Sequence, residues 1–327
     1  MIRWWIGLWD RRESATSLAL VRLLLSVVVL YDLMLVGWYD VPVLLWAPVE
    51  VGGAHDLLAR PSVPWVYRVF PPTETTAVAL YYTCVLSLMS FGAGFLTRFS
   101  GVVFVLSYAQ TAIINDQADR GIDRMIRIAI WLLILSQSSR AFSIDAWLKT
   151  GKWRGDGSLI PSWPRYLLIL QIVVMYWCAG VEKFAVTWFP WGGYSALYII
   201  LQDPIFARMD FSFLASPWIF PLTQIGTAVS HAWEWTFPVI LLAYYYRDTP
   251  TRSGRMRRFF LRWDIRLWYV VLGILFHLLL AATLRLGIFP AAMLAFYPAF
   301  FHPTEWRSLR NRWRRMMAGQ SRSGGFQ

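Results

Sequence analysis

The chain has 327 residues, 57% of them hydrophobic and 15% charged, with a mean hydropathy of +0.45. Too little polar side chain exists to clothe a water-soluble globule of this size. The 20 Trp, 15 Tyr and 21 Phe suit a bilayer, whose headgroup level accepts rings that are apolar at one end and wet at the other. The net charge of +12 does not indicate nucleic acid as a partner, because the Lys and Arg residues fall in short connectors between apolar runs rather than on one soluble face.

Arg3, Arg11 and Arg12 precede the first apolar run, 17–38, in the manner of a signal peptide. The run exceeds a cleavable core and no small-residue cleavage site follows it, so a retained helix is expected. Crossing a hydrocarbon layer of about 30 Å takes about 20 apolar residues as a helix. The predicted spans are 17–38, 77–96, 99–114, 122–135, 166–184, 219–246, 268–284 and 288–301. The expected fold is therefore an all-α polytopic membrane helix bundle with about eight transmembrane helices; the third, fourth and last runs are short, so seven or nine stay open. Residues 40–76 hold too many prolines to span, among them Pro42, Pro48, Pro61, Pro64, Pro71 and Pro72, yet are too apolar for a free loop. Short interfacial helices are expected there, and 188–217, broken by Gly192, Gly193 and Pro204, has a similar character.

Alternate connectors differ in charge. One set holds the N-terminus, Arg98, the stretch from Arg140 to Arg165, the stretch 247–266 and the tail from Arg307; the other holds Arg60 and Arg68, then 115–121, then Arg208, then Arg285. Positive charge is retained on the cytoplasmic side, which predicts a cell (inner) membrane protein with both termini cytoplasmic. The expected organisation is a transmembrane domain over 1–306 and a basic cytoplasmic tail over 307–327, the latter suited to anionic membrane lipid before a disordered Ser/Gly end. Cys84 and Cys178 stand in apolar runs without CxxC or His-Cys spacing, which supports neither a disulfide framework nor a zinc site.

Ionisable groups inside spans cost several kcal/mol unless paired or turned to a cavity, so each is a candidate site. Arg22 lies near the inner end of its span and can snorkel; Asp32 lies nearer the outer end. The fifth span closes on Ala179-Gly180-Val181-Glu182-Lys183, where Tyr176, Gly180 and Lys183 share a helical stripe and Gly180 leaves room for a ligand or another backbone. In an apolar setting Lys183 offers a neutral amine that can act as a base, or else it pairs with Glu182 or snorkels outward. His231 and Glu234 share a face of the sixth span and His277 lies in the seventh; they suit a polar network at least as well as a metal site. The connector from Asn115 and Asp116 to Arg124 either caps the next helix through Asp119 and Gly121, with Asp123 paired to Arg127, or lines the mouth of a cavity.

The order of these marks resembles the HTTM family, the horizontally transferred transmembrane domain shared with vitamin K-dependent gamma-carboxylases. They are the Arg22 to Asp32 opening span, Ser143-Ile144-Asp145, the segment 179–183 before Trp188, Glu234, His277, and Pro303-Thr304-Glu305-Trp306. The resemblance implies a membrane helix bundle and a reduced, vitamin K-like quinone as cofactor. It implies Lys183 as the base acting on that quinol, and the polar network of His231, Glu234 and His277 is expected to support it as further catalytic groups. Tyr176, Gly180, Asn115 and Asp116 are the expected substrate-binding residues. The expected activity is quinone-dependent, carboxylase- or epoxidase-like, on a peptide or protein substrate; a non-enzymatic role in maturing or passing a secreted peptide or lipid is the alternative. The carboxylases use a histidine in the connector before the fourth span, whereas no histidine lies between His55 and His231 here.

Overall fold

The computed structural model describes residues 2–54, 63–69, 71–249 and 253–323. Arg60, Pro61 and the Ser/Gly end beyond 323 lie outside the described residues. The chain is an all-α membrane bundle. Eight helices carry the argument: α1 (Thr16–Trp38), α2 (Glu74–Ala93), α3 (Thr97–Ile114), α4 (Gly121–Leu135), α5 (Trp163–Val181), α6 (Phe220–Thr236), α7 (Val239–Asp248) and α8 (Ile265–Thr283). Among the described residues the one ladder is a short antiparallel pair, Arg12–Ser14 against Leu159–Pro161.

Five helices, α1, α2, α3, α5 and α8, are long and apolar enough to cross a bilayer, which makes this a multi-pass membrane protein. Large apolar side chains such as Val27, Leu86 and Leu106 face outward on them, as a lipid solvent permits. The other three expected spans are not single long helices. With 15 residues α4 reaches about 22 Å, short of the hydrocarbon thickness. The run 219–246 divides into α6 and α7 because Pro238 has no N–H to offer the Glu234 carbonyl. The Phe237 N–H takes that carbonyl at 3.2 Å instead, and tight bonds from Ile240 and Leu241 complete the turn. The last run is the shorter apolar helix Phe289–Phe300. In the proline-rich stretch the expected short helices occur at Pro42–Trp46 and Trp65–Val69.

The chain forms two compact units, Met1–Leu8 with Tyr166–Leu294, and Trp9–Arg165 with Ala295–Gln327. In the unit built on Trp9–Arg165, α1 buries Leu18, Val21, Leu25, Val29 and Leu33, a helical stripe of period three to four. The turn from α2 to α3 requires Gly94 on two counts: its φ is +73°, and a Cβ there would stand 2.3 Å from the Ser143 Cβ. Ser143-Ile144-Asp145 builds this corner. Asp145 accepts from the Leu96 and Thr97 N–H groups at 2.9 and 3.0 Å and from the Thr97 hydroxyl at 2.7 Å, capping α3 from a distant point in the sequence. Arg22 does not snorkel. It is fully buried and donates from Nη2 to the Phe142 carbonyl at 2.6 Å, beside the same corner. The terminal helix Pro303–Ser323 runs unbroken through the expected boundary at 306 and is anchored where Trp306 Nε1 donates to Ser17 at 3.0 Å.

In the unit built on Tyr166–Leu294, the segment 188–217 folds into the short helix Ala196–Gln202 and single 3-10 turns. Leu201, Ala207, Phe211, Leu214 and Leu284 form its core. Polar bonds fasten it to α6: the Leu197 N–H donates to Thr227 at 3.0 Å and Gln224 Nε2 to the Gly193 carbonyl at 2.6 Å.

Candidate functional site

Lys183 lies just beyond the end of α5, so it is not the last member of a helical stripe with Tyr176 and Gly180. The helix terminates at Val181, and the chain turns through Glu182 toward the 3-10 turn Val186–Trp188. That turn aims Lys183 at α6. Its partner is Glu234, to which Nζ donates; it is not the adjacent Glu182. The Nζ also stands 4.8 Å from the centroid of Trp188, a cation–π contact. The lysine side chain is 22% exposed and the glutamate 6%.

Gly180 sets the approach of the two chains. A Cβ there would meet the backbone N of Trp235 at 2.9 Å and the Cβ of Glu234 at 3.0 Å. The space this glycine leaves is filled by the backbone of α6, so Gly180 is a packing residue that brings Lys183 within reach of its carboxylate.

His231, one turn before Glu234, lies between rings, with Phe189 edge-on at 5.1 Å and Trp188 at 6.0 Å. Its Nε2 is buried and has no hydrogen-bond partner. A buried polar atom left open is uncommon and costly. Deeper along α5, the Tyr176 hydroxyl and His277 Nε2 share a hydrogen bond of 2.5 Å. Trp233, Phe237, Phe276 and Phe289 surround that pair. The structure thus gathers Lys183, Glu234, His231 and Gly180 on one side of α6, and Tyr176 with His277 against the neighbouring Trp233. Among the described residues no group of three or more His, Cys, Asp or Glu is placed to hold a metal ion.

Asn115 and Asp116 belong to the other unit. Asn115 is structural: Nδ2 donates to the Leu45 carbonyl at 3.0 Å and Oδ1 accepts the Gln117 N–H at 3.1 Å. The connector they open carries a charge cluster whose pairing differs from the spacing rule. Asp123 pairs with Arg120 rather than Arg127, accepting its Nε at 2.9 Å and also the Tyr108 hydroxyl at 2.7 Å. Arg120 reaches on to Asp32 at 2.5 Å, which gives the carboxylate in α1 its partner. Arg127 turns back to Asp119 at 2.7 Å. Asp119 therefore does not cap α4; the cap is the Arg120 N–H held by Asp123 at 2.9 Å. Burial would raise the Asp119 pKa, but hydrogen bonds from Arg127 and Arg124 outweigh it and hold the carboxylate below its ordinary value. Burial likewise opposes the charge on Arg120, and the bonds to Asp123 and Asp32 overcome it, raising its pKa. The cluster lines a cavity of about 250 Å³ together with Leu33, Val36 and Trp46.

The HTTM domain profile matches residues 11–247, well over half of the chain. The chain belongs to the HTTM family. Among curated proteins and among solved structures nothing matches it. The HTTM match takes in Lys183, His231 and Glu234 and ends before His277 and the closing Pro303–Trp306 stretch, which the resemblance had included. HTTM is the domain found in vitamin K-dependent gamma-carboxylase.

Sequence reasoning missed the aromatic partners Trp188 and Phe189. A Trp-Phe-Pro-Trp run five residues after a lysine at a span end was the available signal, since rings clustered at a membrane boundary beside a cation form cation–π contacts readily.

Proposed function

We propose that this HTTM protein handles a proton at Lys183 on behalf of a lipophilic hydroxyl compound, a reduced quinone of the vitamin K type, at the outer face of the cell membrane. The observation that carries this reading is the open Nε2 of His231, buried among aromatic rings beside the Lys183–Glu234 pair. A ring bearing a polar oxygen suits that setting. Trp188 and Phe189 offer faces to a ring, His231 Nε2 offers a bond to an oxygen, and the lysine offers a cation already joined to a carboxylate. When bound, a reduced quinone would supply an acidic hydroxyl and a pair of electrons.

The residues can then act as a relay. Lys183 Nζ passes one proton to Glu234 Oε2 and accepts another from the bound hydroxyl, so the lysine keeps its charge and the glutamate ends as the acid. Gly180 holds the two groups at contact. Tyr176 and His277, walled by aromatic rings, keep water from the inner side of the pair. The class of activity this supports is quinone-dependent, carboxylase- or epoxidase-like chemistry on a peptide or protein substrate.

A second reading is favoured by one fact: Lys183 and Glu234 satisfy each other. A closed pair of this kind also serves a non-enzymatic component that passes or matures a secreted peptide or lipid. The two readings separate when the protein is purified in mild detergent and its bound lipids are extracted and identified by mass spectrometry, wild type beside Lys183→Ala. A quinone in the wild type that is lost in the variant supports the proton-handling reading. Ordinary phospholipid alone in both overturns it in favour of the second.

A further inference from the structure

A different face of the protein carries an independent inference. At the start of α1, in the unit built on Trp9–Arg165, a cavity of about 520 Å³ is lined by residues from four places: the entry to α1, residues 140–142, the loop 154–158, and the terminal helix Pro303–Ser323. Arg140, Arg154, Arg307 and Arg310 all line it, against the single carboxylate of Asp156. Asp156 is itself engaged, accepting the Ser158 N–H at 2.9 Å. Three positive charges are left without an opposite charge in the lining. Among the described residues none of the four arginines has a carboxylate within ion-pair distance, in contrast to Arg120, Arg127 and Arg165. The Nε of Arg310 is buried and unbonded.

Arg140, Arg154 and Arg307 are exposed, so water screens part of their mutual repulsion, and an anion among them would relieve the rest. Guanidinium groups match phosphate oxygens in geometry as well as in charge. The rest of the lining is mixed, with the apolar Leu20, Phe142 and Trp306 and the hydroxyl residues Ser14, Thr16 and Ser158 beside the arginines. Arg154, though exposed, lies 5.8 Å from the Phe142 ring centroid, so the two sides of the lining are in contact there. The level is also telling. Thr16 and Leu20 are the first turn of a membrane-spanning helix, so the cavity stands where lipid headgroups stand.

We infer that this cavity is a phosphate-binding site for the headgroup of an anionic glycerophospholipid, which clasps the terminal helix to the loop 154–158 across the entrance of α1. The phosphate could also arrive as free inorganic phosphate; the apolar part of the wall favours the lipid.

The test uses the full chain in detergent, with phosphatidylglycerol or phosphatidylcholine added at equal mole fraction, and inorganic phosphate alone as a third arm. Phosphatidylglycerol is expected to raise the unfolding midpoint above that in phosphatidylcholine. Arg307→Gln/Arg310→Gln is expected to erase the gain, to leave the midpoint in phosphatidylcholine unchanged, and to lower co-purified phosphatidylglycerol about 10- to 30-fold. Should that double variant fail to fold, Arg154→Gln on the opposite wall is expected to lower retention about 5-fold. Equal midpoints in the two lipids, unchanged retention in the variants, or the full gain from inorganic phosphate alone would each overturn the inference.

Discussion

Arg165 with Glu13 and Lys183 with Glu234 are both cation–carboxylate pairs in apolar surroundings, yet they are built for different ends. Arg165 binds Glu13 through two parallel bonds of 2.8 and 2.9 Å, adds the Ala299 carbonyl at 3.2 Å, and neither side chain is more than 2% exposed. A guanidinium so held cannot give up its proton and has no freedom to turn. Lys183 is a point charge on a flexible stem with one carboxylate bond, partly exposed, beside a histidine nitrogen that is still open. The lesson is that charge inside the bundle does not by itself mark function. The two pairs differ in the number of fixed bonds and in the open nitrogen beside one of them.

Breaking the first pair is expected to produce the largest effect. Glu13→Ala leaves the Arg165 guanidinium buried without its counter-charge, and a loss of about 3–5 kcal/mol is expected, seen as a collapse of the detergent unfolding midpoint or of folded yield. Gly180→Ala comes next. Its new Cβ would press on the α6 backbone beside Glu234, with an expected loss of about 1–3 kcal/mol and, if the proton-handling reading holds, a loss of quinone retention out of proportion to stability. Lys183→Ala is expected to be milder in stability than Glu13→Ala, because Lys183 is partly exposed and loses one carboxylate bond and a cation–π contact, whereas Glu13→Ala removes two parallel bonds in a fully buried pair. If the two prove equal, the contrast drawn above fails.

The smallest effect belongs to the loop pair. Asp119 is held below its ordinary pKa by Arg127 and Arg124, so its folded form binds a proton less readily than its unfolded form. The stability it contributes is present above the ordinary carboxylate range and is lost as pH falls through the depressed folded value. A midpoint measured between about pH 5 and 3 should decline more steeply in wild type than in Asp119→Asn, by an amount limited by the exposure of Arg124.

Much of the fold could be read directly from the chain. The five long helices follow from apolar length alone, and the break at Pro238 was available in principle, since a proline deep in a run cannot bond the preceding turn. The partners of the charges were not readable. Spacing rules paired Asp123 with Arg127 and Lys183 with Glu182, both local choices. The fold instead crosses Arg120 from α1 to α4 and carries Lys183 to a helix about fifty residues on, because α5 ends at Val181, two residues before the lysine, and the chain turns. Arg22 was misread for a similar reason: the corner of Gly94, Phe142 and Asp145 that encloses it is assembled from distant segments. The importance of Gly180 was visible as a small residue near a lysine, but that its space is filled by backbone depends on the packing of α6.

The most direct test of the central claim is quinol-dependent oxygen uptake by the purified protein, wild type against Lys183→Arg, with the unfolding midpoint recorded for both. Arginine keeps the positive charge and the pairing to Glu234 but does not pass a proton. Uptake in the wild type that disappears in a Lys183→Arg protein of unchanged midpoint is the predicted result. Equal uptake in the two proteins, or none in the wild type, would contradict a proton-handling role for Lys183.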